Sequence, residues 1–389
     1  MRAPRAERAI VATGLASVGV SFGLARYGYG LLLPDMRVAL RLGSGTLGAI
    51  AAGSYVGYLL MTLVAGAFAA RTGPRAMVLA AGALAAVGMV LISRADGPTG
   101  LAVGVLVAGS AAGLAFPPFS DVVATRIAPE RRARAFATIS SGTGAGVAIA
   151  APIAVLAGAG WRTAWLAFAV LAVVVAAAAA RVLPGRAEPA GPTAPRLRAS
   201  WFLCPRSGPL LVAGLLVALA ASVWWTFAVD LVASSGVGRT ESRVLQGLVG
   251  VASLAGALGG DLVRRAGARP SYRGLTLVLA ASFAALAVAP GHLVVAVIAG
   301  LTFGAAYNLL VCIQGLWSAE VFAERPSTGL AALMTMSGLG LLLGPLVAGA
   351  LADLLSLRTT FLLAAGVALV ALAAAPPQLA GQRPVRQSQ

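Results

Sequence analysis

The chain has 389 residues, of which 59% are hydrophobic and only 11% are charged, and its mean hydropathy is +0.91. This composition excludes an ordinary soluble domain and is typical of an integral membrane protein. The net charge of +17 does not indicate nucleic-acid binding, because the arginines fall in short segments between apolar runs and form no continuous basic face.

Twelve apolar segments follow one another along the chain, and each approaches the roughly 20 residues that a helix needs to cross a bilayer. The first segment has no small-residue cleavage site after it, so it predicts a retained transmembrane helix rather than a signal peptide. The expected helices lie near 10–33, 45–70, 76–93, 100–124, 136–158 and 163–183, and then near 209–232, 244–263, 272–289, 293–318, 328–352 and 358–376.

A stretch rich in proline and arginine, 184–200, separates the sixth helix from the seventh and cannot form a core. Arginines are roughly three times more frequent in segments on the N-terminal side of the bilayer, which predicts that both termini are cytoplasmic. We therefore expect an N-terminal six-helix bundle at 1–183, a cytoplasmic linker at 184–209, a C-terminal six-helix bundle at 210–376 and a cytoplasmic tail at 377–389.

The two halves repeat one another. GAFAARTGPR at 66–75 and GDLVRRAGAR at 260–269 share Gly, Arg, Gly and Arg at the same spacing. The same separation of about half the chain relates WRTAWL at 161–166 to LRTTFL at 357–362, and Asp35 to Asp230. These matches predict two six-helix repeats in the same orientation.

The repeated loop resembles the G-x-L-A-D-R-x-G-R-R signature of the major facilitator superfamily. The matching residues are Gly66, Arg71, Gly73 and Arg75 in the first copy and Gly260, Arg265, Gly267 and Arg269 in the second. Ala70 and Arg264 replace the family's acidic residue, so its usual ion pair is not expected. The first helix, FGLARYGYGLLLPDM at 22–36, also resembles a YbfB-like branch of the superfamily.

The resemblance implies an all-α membrane protein with twelve transmembrane helices, arranged as two pseudo-symmetric six-helix bundles around a central substrate cavity. It also implies a secondary active transporter in the bacterial inner membrane, which moves a small organic solute by alternating access and is coupled to protons. The expected partners are this solute, membrane lipid and protons. We expect a monomer without cofactor or nucleic acid; export of drugs or metabolites and import of an organic acid both stay open.

Two other classes of protein compete with a transporter. His292 is the only histidine, and no Cys, His or carboxylate spacing matches a metal site, so we expect neither an enzyme nor a bound metal. SSGTGAG at 140–146 lies inside an apolar helix, which favours helix packing over a phosphate loop. A non-transporting receptor or sensor on the same fold is the remaining alternative.

Arg26 lies in the middle of the first apolar segment. A charge at this depth is costly to place against lipid, so such residues usually face the interior of the protein. We hypothesise that it faces the cavity and holds an anionic or carbonyl group of the substrate; a structural ion pair, a gate or a side chain reaching the interface are alternatives. The predicted substrate-binding residues are Arg26, Tyr29, Tyr55, Tyr58, Trp224, Trp225, Tyr307 and Asn308. For the aromatic residues among them, packing between helices is the alternative.

Asp35 and Asp230 occupy the ends of the first and seventh helices, where the two halves should meet. Carboxylates that alternate between water and a closed environment can couple protonation to motion, so we predict a coupling or gating role for this pair. Solvated charges at helix ends are the alternative.

Overall fold

The computed structural model of the chain describes residues 3–185, 206–323 and 326–376. The described residues contain no strand, and twelve of their helices are long and apolar enough to cross a membrane. The prediction of an all-α protein with twelve transmembrane helices is therefore confirmed. In chain order, α1 to α12 are Arg5–Leu40, Ser44–Ala65, Thr72–Ser93, Pro98–Arg126, Pro129–Leu156, Trp161–Val182, Ser207–Ser234, Arg239–Ala266, Ala268–Val288, Leu293–Val321, Thr328–Leu354 and Leu357–Ala374.

Several helices extend beyond the apolar segments that predicted them. The first was expected near 10–33 but spans Arg5–Leu40, because polar residues continue the helix past both ends of its apolar centre. Most of the expected linker at 184–209 and the whole expected tail at 377–389 lie outside the described residues, so the division of the chain into four parts stays a prediction. The helix after the linker begins at Ser207.

The two halves of the chain meet mainly through three pairs of helices, which are α2 with α11, α5 with α8, and α1 with α7. The first two pairs correspond to each other when the repeats are exchanged. In both, glycines bring the backbones together. A methyl group on Gly144 of α5 would lie 2.6 Å from the Gly250 carbonyl oxygen of α8, and one on Gly48 of α2 would overlap the Pro345 carbonyl of α11. The glycine-rich segments therefore act in helix packing.

The loop signature adopts the same backbone conformation in both repeats. Gly73 and Gly267 have φ angles of 75° and 84°, a left-handed region that favours glycine. Arg75 ties the first loop to the end of α6, since its Nε donates to the Leu183 carbonyl oxygen at 2.9 Å. In the second loop Arg264 forms an ion pair with Asp261 of its own helix, while Arg265 is exposed. Gly66 and Arg71 lie in 66–71, whose side chains are outside the described part of the structure.

Helix α1 is broken in the middle. An α-helix over Ala3–Val18 passes into a π-helix over Gly19–Leu24, and after a turn the α-helix resumes at Gly28–Leu40. The wider turn is held by i to i−5 hydrogen bonds, from Ala25 to Val20 at 2.9 Å and from Tyr27 to Phe22 at 3.0 Å. Such π segments inside helices are frequent at functional sites. Arg26 lies in the turn that follows this one.

Candidate functional site

The guanidinium of Arg26 sits in a cage of aromatic rings. The residue is only 5% exposed. Its Cζ lies 4.0 Å from the ring centre of Tyr55 and 4.6 Å from that of Tyr58, both on α2. The rings of Phe22 and Tyr27, on α1 itself, are 5.6 and 5.7 Å away. Cation–π attraction to several ring faces offsets part of the cost of burying this charge.

The same guanidinium has no counter-ion among the residues that the structure describes. Its Nε and Nη2 are buried and have no hydrogen-bond partner among the described residues. The ion pairs among the described residues join other arginines to carboxylates, and none of these pairs includes Arg26. A buried charge normally has a partner, because desolvation without one is costly. A buried arginine with two unsatisfied donors and no described counter-ion therefore marks a place where a ligand can complete the site.

The cavity beside Arg26 is shared by the two halves. Ser54 and Tyr55 of α2 line it from the N-terminal half, and Trp225 and Thr226 of α7 line it from the C-terminal half. Its volume is about 10 Å³, which is space for roughly one water molecule. The Trp225 ring stacks on Tyr27 with 4.3 Å between ring centres. The cavity is thus closed by aromatic contact across the halves.

The cage is less covered on one side than on the other. An even number of helices puts the start of α1 and the end of α12 at one end of the bundle, here called the terminal end; the opposite end is called the Asp35 end. Phe22 and Tyr58, on the side of the terminal end, are half-buried, whereas Tyr29 and Trp225, towards the Asp35 end, are buried. The aromatic cage is therefore less completely buried towards the terminal end than towards the Asp35 end.

The two adjacent tryptophans of α7 point in different directions. Trp225 faces Tyr27, and Tyr307 of α10 lies edge-on to it with ring centres 6.2 Å apart. Trp224 instead packs inside the C-terminal half, where it stacks on Phe303 at 4.3 Å and meets Phe283 edge-on at 5.5 Å. The structure therefore brings Trp225 and Tyr307 towards the Arg26 cage and places Trp224 in the packing core.

Two further predicted residues make hydrogen bonds within the protein. The Tyr29 hydroxyl donates to the Leu47 carbonyl oxygen of α2 at 2.9 Å, although its ring still lines the cavity. The Asn308 amide nitrogen donates to the Gly304 carbonyl oxygen of its own helix at 3.2 Å, and its Cβ packs near Gly256 of α8. These contacts of Asn308 provide no support for a substrate role.

Asp35 joins the halves at its end of the bundle. Its Oδ2 lies 2.7 Å from Arg243 Nη2 and its Oδ1 lies 2.8 Å from Arg239 Nε, and both arginines belong to α8. The Arg243 and Asp35 side chains are only 2% and 6% exposed. Asp35 is therefore a buried member of an ion pair between the halves, and not the solvated charge at a helix end that was the alternative.

Asp230 makes the second ion pair between the halves, with Arg37 of α1. Arg37 Nη2 and Asp230 Oδ2 are 3.0 Å apart, but the contact lacks the angle of a hydrogen bond. The same nitrogen donates to the Ser44 hydroxyl at 2.6 Å. Arg37 is also 29% exposed. This ion pair is therefore better hydrated than the pair formed by Asp35, and it lacks a hydrogen bond between the two side chains.

Two charged residues also cap helices of the opposite half. Arg243 donates from Nη1 to the carbonyl oxygens of Ala154 and Gly158 at the end of α5. Asp353, at the end of α11, accepts from the backbone nitrogens of Ser44 and Gly45 at the start of α2, each at 2.8 Å. A cation at a helix C-terminus and an anion at an N-terminus both complement the helix dipole. Neither role could be predicted from the sequence, because the partners of both residues lie in the other half of the chain.

We expect Asp353→Ala to destabilise the conformation in which the halves meet at the Asp35 end. Loss of a helix N-cap costs about 1 kcal/mol, which is a shift of about fivefold in the equilibrium. A reporter cysteine, Ala51→Cys, measures this opening, because Ala51 is buried beside the Arg26 cavity. With Cys204→Ser and Cys312→Ser in place, its labelling by an impermeant maleimide should accelerate. Asp353→Asn, which keeps one acceptor oxygen, should have a smaller effect; equal rates in all three proteins would contradict the capping role.

The sequence profile of the Major Facilitator Superfamily matches residues 15–325, which is most of the chain. The chain belongs to this superfamily. The crystal structure of a mutant of the nucleoside transporter NupG superimposes with a TM-score of 0.79 at 15% identity, covering 94% of this chain and 98% of NupG. A bacterial homologue of the human lysosomal transporter Spinster, crystallised in an inward-facing and unoccupied conformation, gives 0.77 at 14% identity and covers 95% and 96%.

At these identities the likeness to solved structures shows the major facilitator fold and not a substrate. No curated protein sequence matches the chain, and membership of the YbfB-like branch stays a prediction. Twelve apolar helices and the superfamily together identify a multi-pass membrane protein and support a secondary transporter. Within the described residues, no group of three or more His, Cys, Asp or Glu side chains could hold a metal ion.

Proposed function

We propose that the protein moves a small organic solute across the bacterial inner membrane by alternating access, with Arg26 in the solute site. The observation that carries this proposal is the buried guanidinium, which has no counter-ion among the described residues and lies in a cavity whose walls come from both halves. Movement of one half against the other would open such a cavity to either side in turn. Arg26, Tyr55, Tyr58, Trp225 and Tyr307 are the residues that we place in this site.

The arginine bias supports a cytoplasmic position for the terminal end and both termini. The Asp35 end then faces the periplasm, and the structure is closed towards the periplasm by the pairs of Asp35 and Asp230. Phe22 and Tyr58, the half-buried rings of the cage, lie on the side of the terminal end.

Cysteines in the signature loops would test this orientation. Arg71→Cys and Arg265→Cys, each in the background without Cys204 and Cys312, should resist an impermeant maleimide added to intact cells and react once the membrane is opened. Thr163→Cys, at the start of α6 on the Asp35 end, is the matched exposed site that should react from outside. Labelling of either loop in intact cells would overturn the orientation.

Proton coupling is part of the proposal, and it is supported by the two buried carboxylates that join the halves. Protonation of Asp35 or Asp230 would remove the charge that holds its arginine, so proton binding and separation of the halves are physically linked. Purified protein in liposomes should therefore accumulate its solute when a proton gradient is imposed and lose that accumulation when an uncoupler collapses the gradient. Saturable binding without movement across the bilayer would instead favour a non-transporting receptor.

A further inference from the structure

We infer that the solute is a planar, unsaturated monocarboxylate, whose carboxylate binds the Nε and Nη2 edge of Arg26. This inference rests on the proposed function and narrows its solute class. It is carried by three features of the Arg26 cavity, which are the free edge of the guanidinium, the excess of hydrogen-bond donors around it, and the aromatic faces that meet across the halves.

The free edge has the geometry that a carboxylate requires. Nε and Nη2 lie on the same side of a guanidinium and donate in parallel, with a spacing that matches the two oxygens of a carboxylate. Both atoms are buried without a partner among the described residues. The rings of Tyr55 and Tyr58 cover the guanidinium within 5 Å of its centre and carry no charge that could neutralise it.

The other unpartnered polar atoms beside the cavity are also hydrogen-bond donors. The Trp225 indole nitrogen can only donate, and the Ser54 hydroxyl can donate as well as accept. The carboxylates of Asp35 and Asp230 are engaged with Arg243 and Arg37. An ammonium group would therefore meet a fixed positive charge and no counter-ion. A second carboxylate on the solute would be buried without a second cation, so one negative charge fits best.

The aromatic contact between the halves favours a planar body. Tyr27 of α1 and Trp225 of α7 stack with 27° between their planes, and Tyr307 closes the edge of this stack. A flat solute can take the place of one of these ring faces when the halves separate, and keep the same kind of contact. The volume of about 10 Å³ requires such a separation before the solute enters. Binding and movement of the halves are therefore linked.

Equilibrium binding of radiolabelled benzoate to the purified full-length protein tests the inference. Benzoate should bind saturably, and benzamide, benzylammonium and phthalate should compete at least about tenfold more weakly. Cyclohexanecarboxylate, with the same charge and a ring that is not flat, should also compete less well. Equal competition by benzamide, or no saturable binding of benzoate, would overturn the assignment.

Arg26→Lys keeps the charge but removes the parallel pair of donors, so benzoate affinity should fall at least about tenfold. The matched control is Arg162→Lys, because Arg162 also covers a ring, that of Trp161 at 4.2 Å, but lies at the surface and should leave affinity unchanged. Should Arg26→Lys fail to fold, Trp225→Leu provides a second test. It should abolish the preference for benzoate over cyclohexanecarboxylate; a preserved preference would refute the planar body.

Exchange of benzoate in proteoliposomes separates the inference from the proposed function. Benzoate that binds through Arg26 but does not exchange across the bilayer would overturn transport and leave the binding class intact. Gradient-driven transport of a neutral or cationic solute that persists in Arg26→Lys would overturn the binding class and leave transport intact.

Discussion

Asp35→Asn should destabilise the conformation that is closed at the Asp35 end by about 3 kcal/mol, a shift on the order of 100-fold in the equilibrium. The reason is the position of Arg243. Its side chain is 2% exposed, and among the described residues Asp35 is the one carboxylate that contacts it. A neutral amide leaves a buried cation without a counter-charge. The bonds from Arg243 to the end of α5 keep the arginine in place beside the substituted residue.

The Ala51→Cys reporter measures this shift as faster labelling by an impermeant maleimide from the Asp35 side. Asp230→Asn should accelerate labelling less, because Arg37 is 29% exposed and keeps its contact with Ser44. Asp96→Asn is the matched control, since the Asp96 side chain is 93% exposed and its pair with Arg162 lies at the surface. Unchanged labelling in Asp35→Asn, or a larger effect in Asp230→Asn, would contradict the prediction that the ion pair of Asp35 stabilises closure more than that of Asp230.

The sequence predicted the helices well because hydropathy alone decides which segments cross a membrane. The repeat was also visible, since the backbone at Gly73 and Gly267 requires glycine in both copies. The break in α1 was hidden, because the segment stays apolar through the π-helix at Gly19–Leu24 and hydropathy does not record hydrogen-bond register. Nothing in the residue pattern distinguished the turn at Arg26 from a continuous helix.

The partners of the charged residues could not be predicted for a different reason. Asp35 and Arg243 are 208 residues apart in sequence, and no local spacing relates the two. Their contact depends on how the halves pack. The same holds for Trp224 and Trp225, because consecutive helical residues point about 100° apart and only the packing decides which one faces the other half.

The contact at Gly30 offers a test of closure that does not involve charge. A Cβ atom at Gly30 of α1 would overlap the carbonyl oxygen of Trp225 on α7 and lie 3.2 Å from that of Thr226. Backbone atoms cannot rotate away as a side chain can. We therefore expect Gly30→Val to remove at least about 3 kcal/mol from the closed conformation, the upper range for overpacking, and to hold the halves apart at the Asp35 end.

Spin labels at Thr163→Cys and Val294→Cys, exposed positions of opposite halves at the Asp35 end, measure this separation in the background without Cys204 and Cys312. Their distance distribution should move to longer values in Gly30→Val. Gly53→Val is the matched control, because a methyl group at Gly53 of α2 meets no atom within 4 Å, and its distribution should equal that of the parent. A folded Gly30→Val protein with the parent's distances would show that the halves can close without the approach of α1 to Trp225, and the contact would then not limit closure.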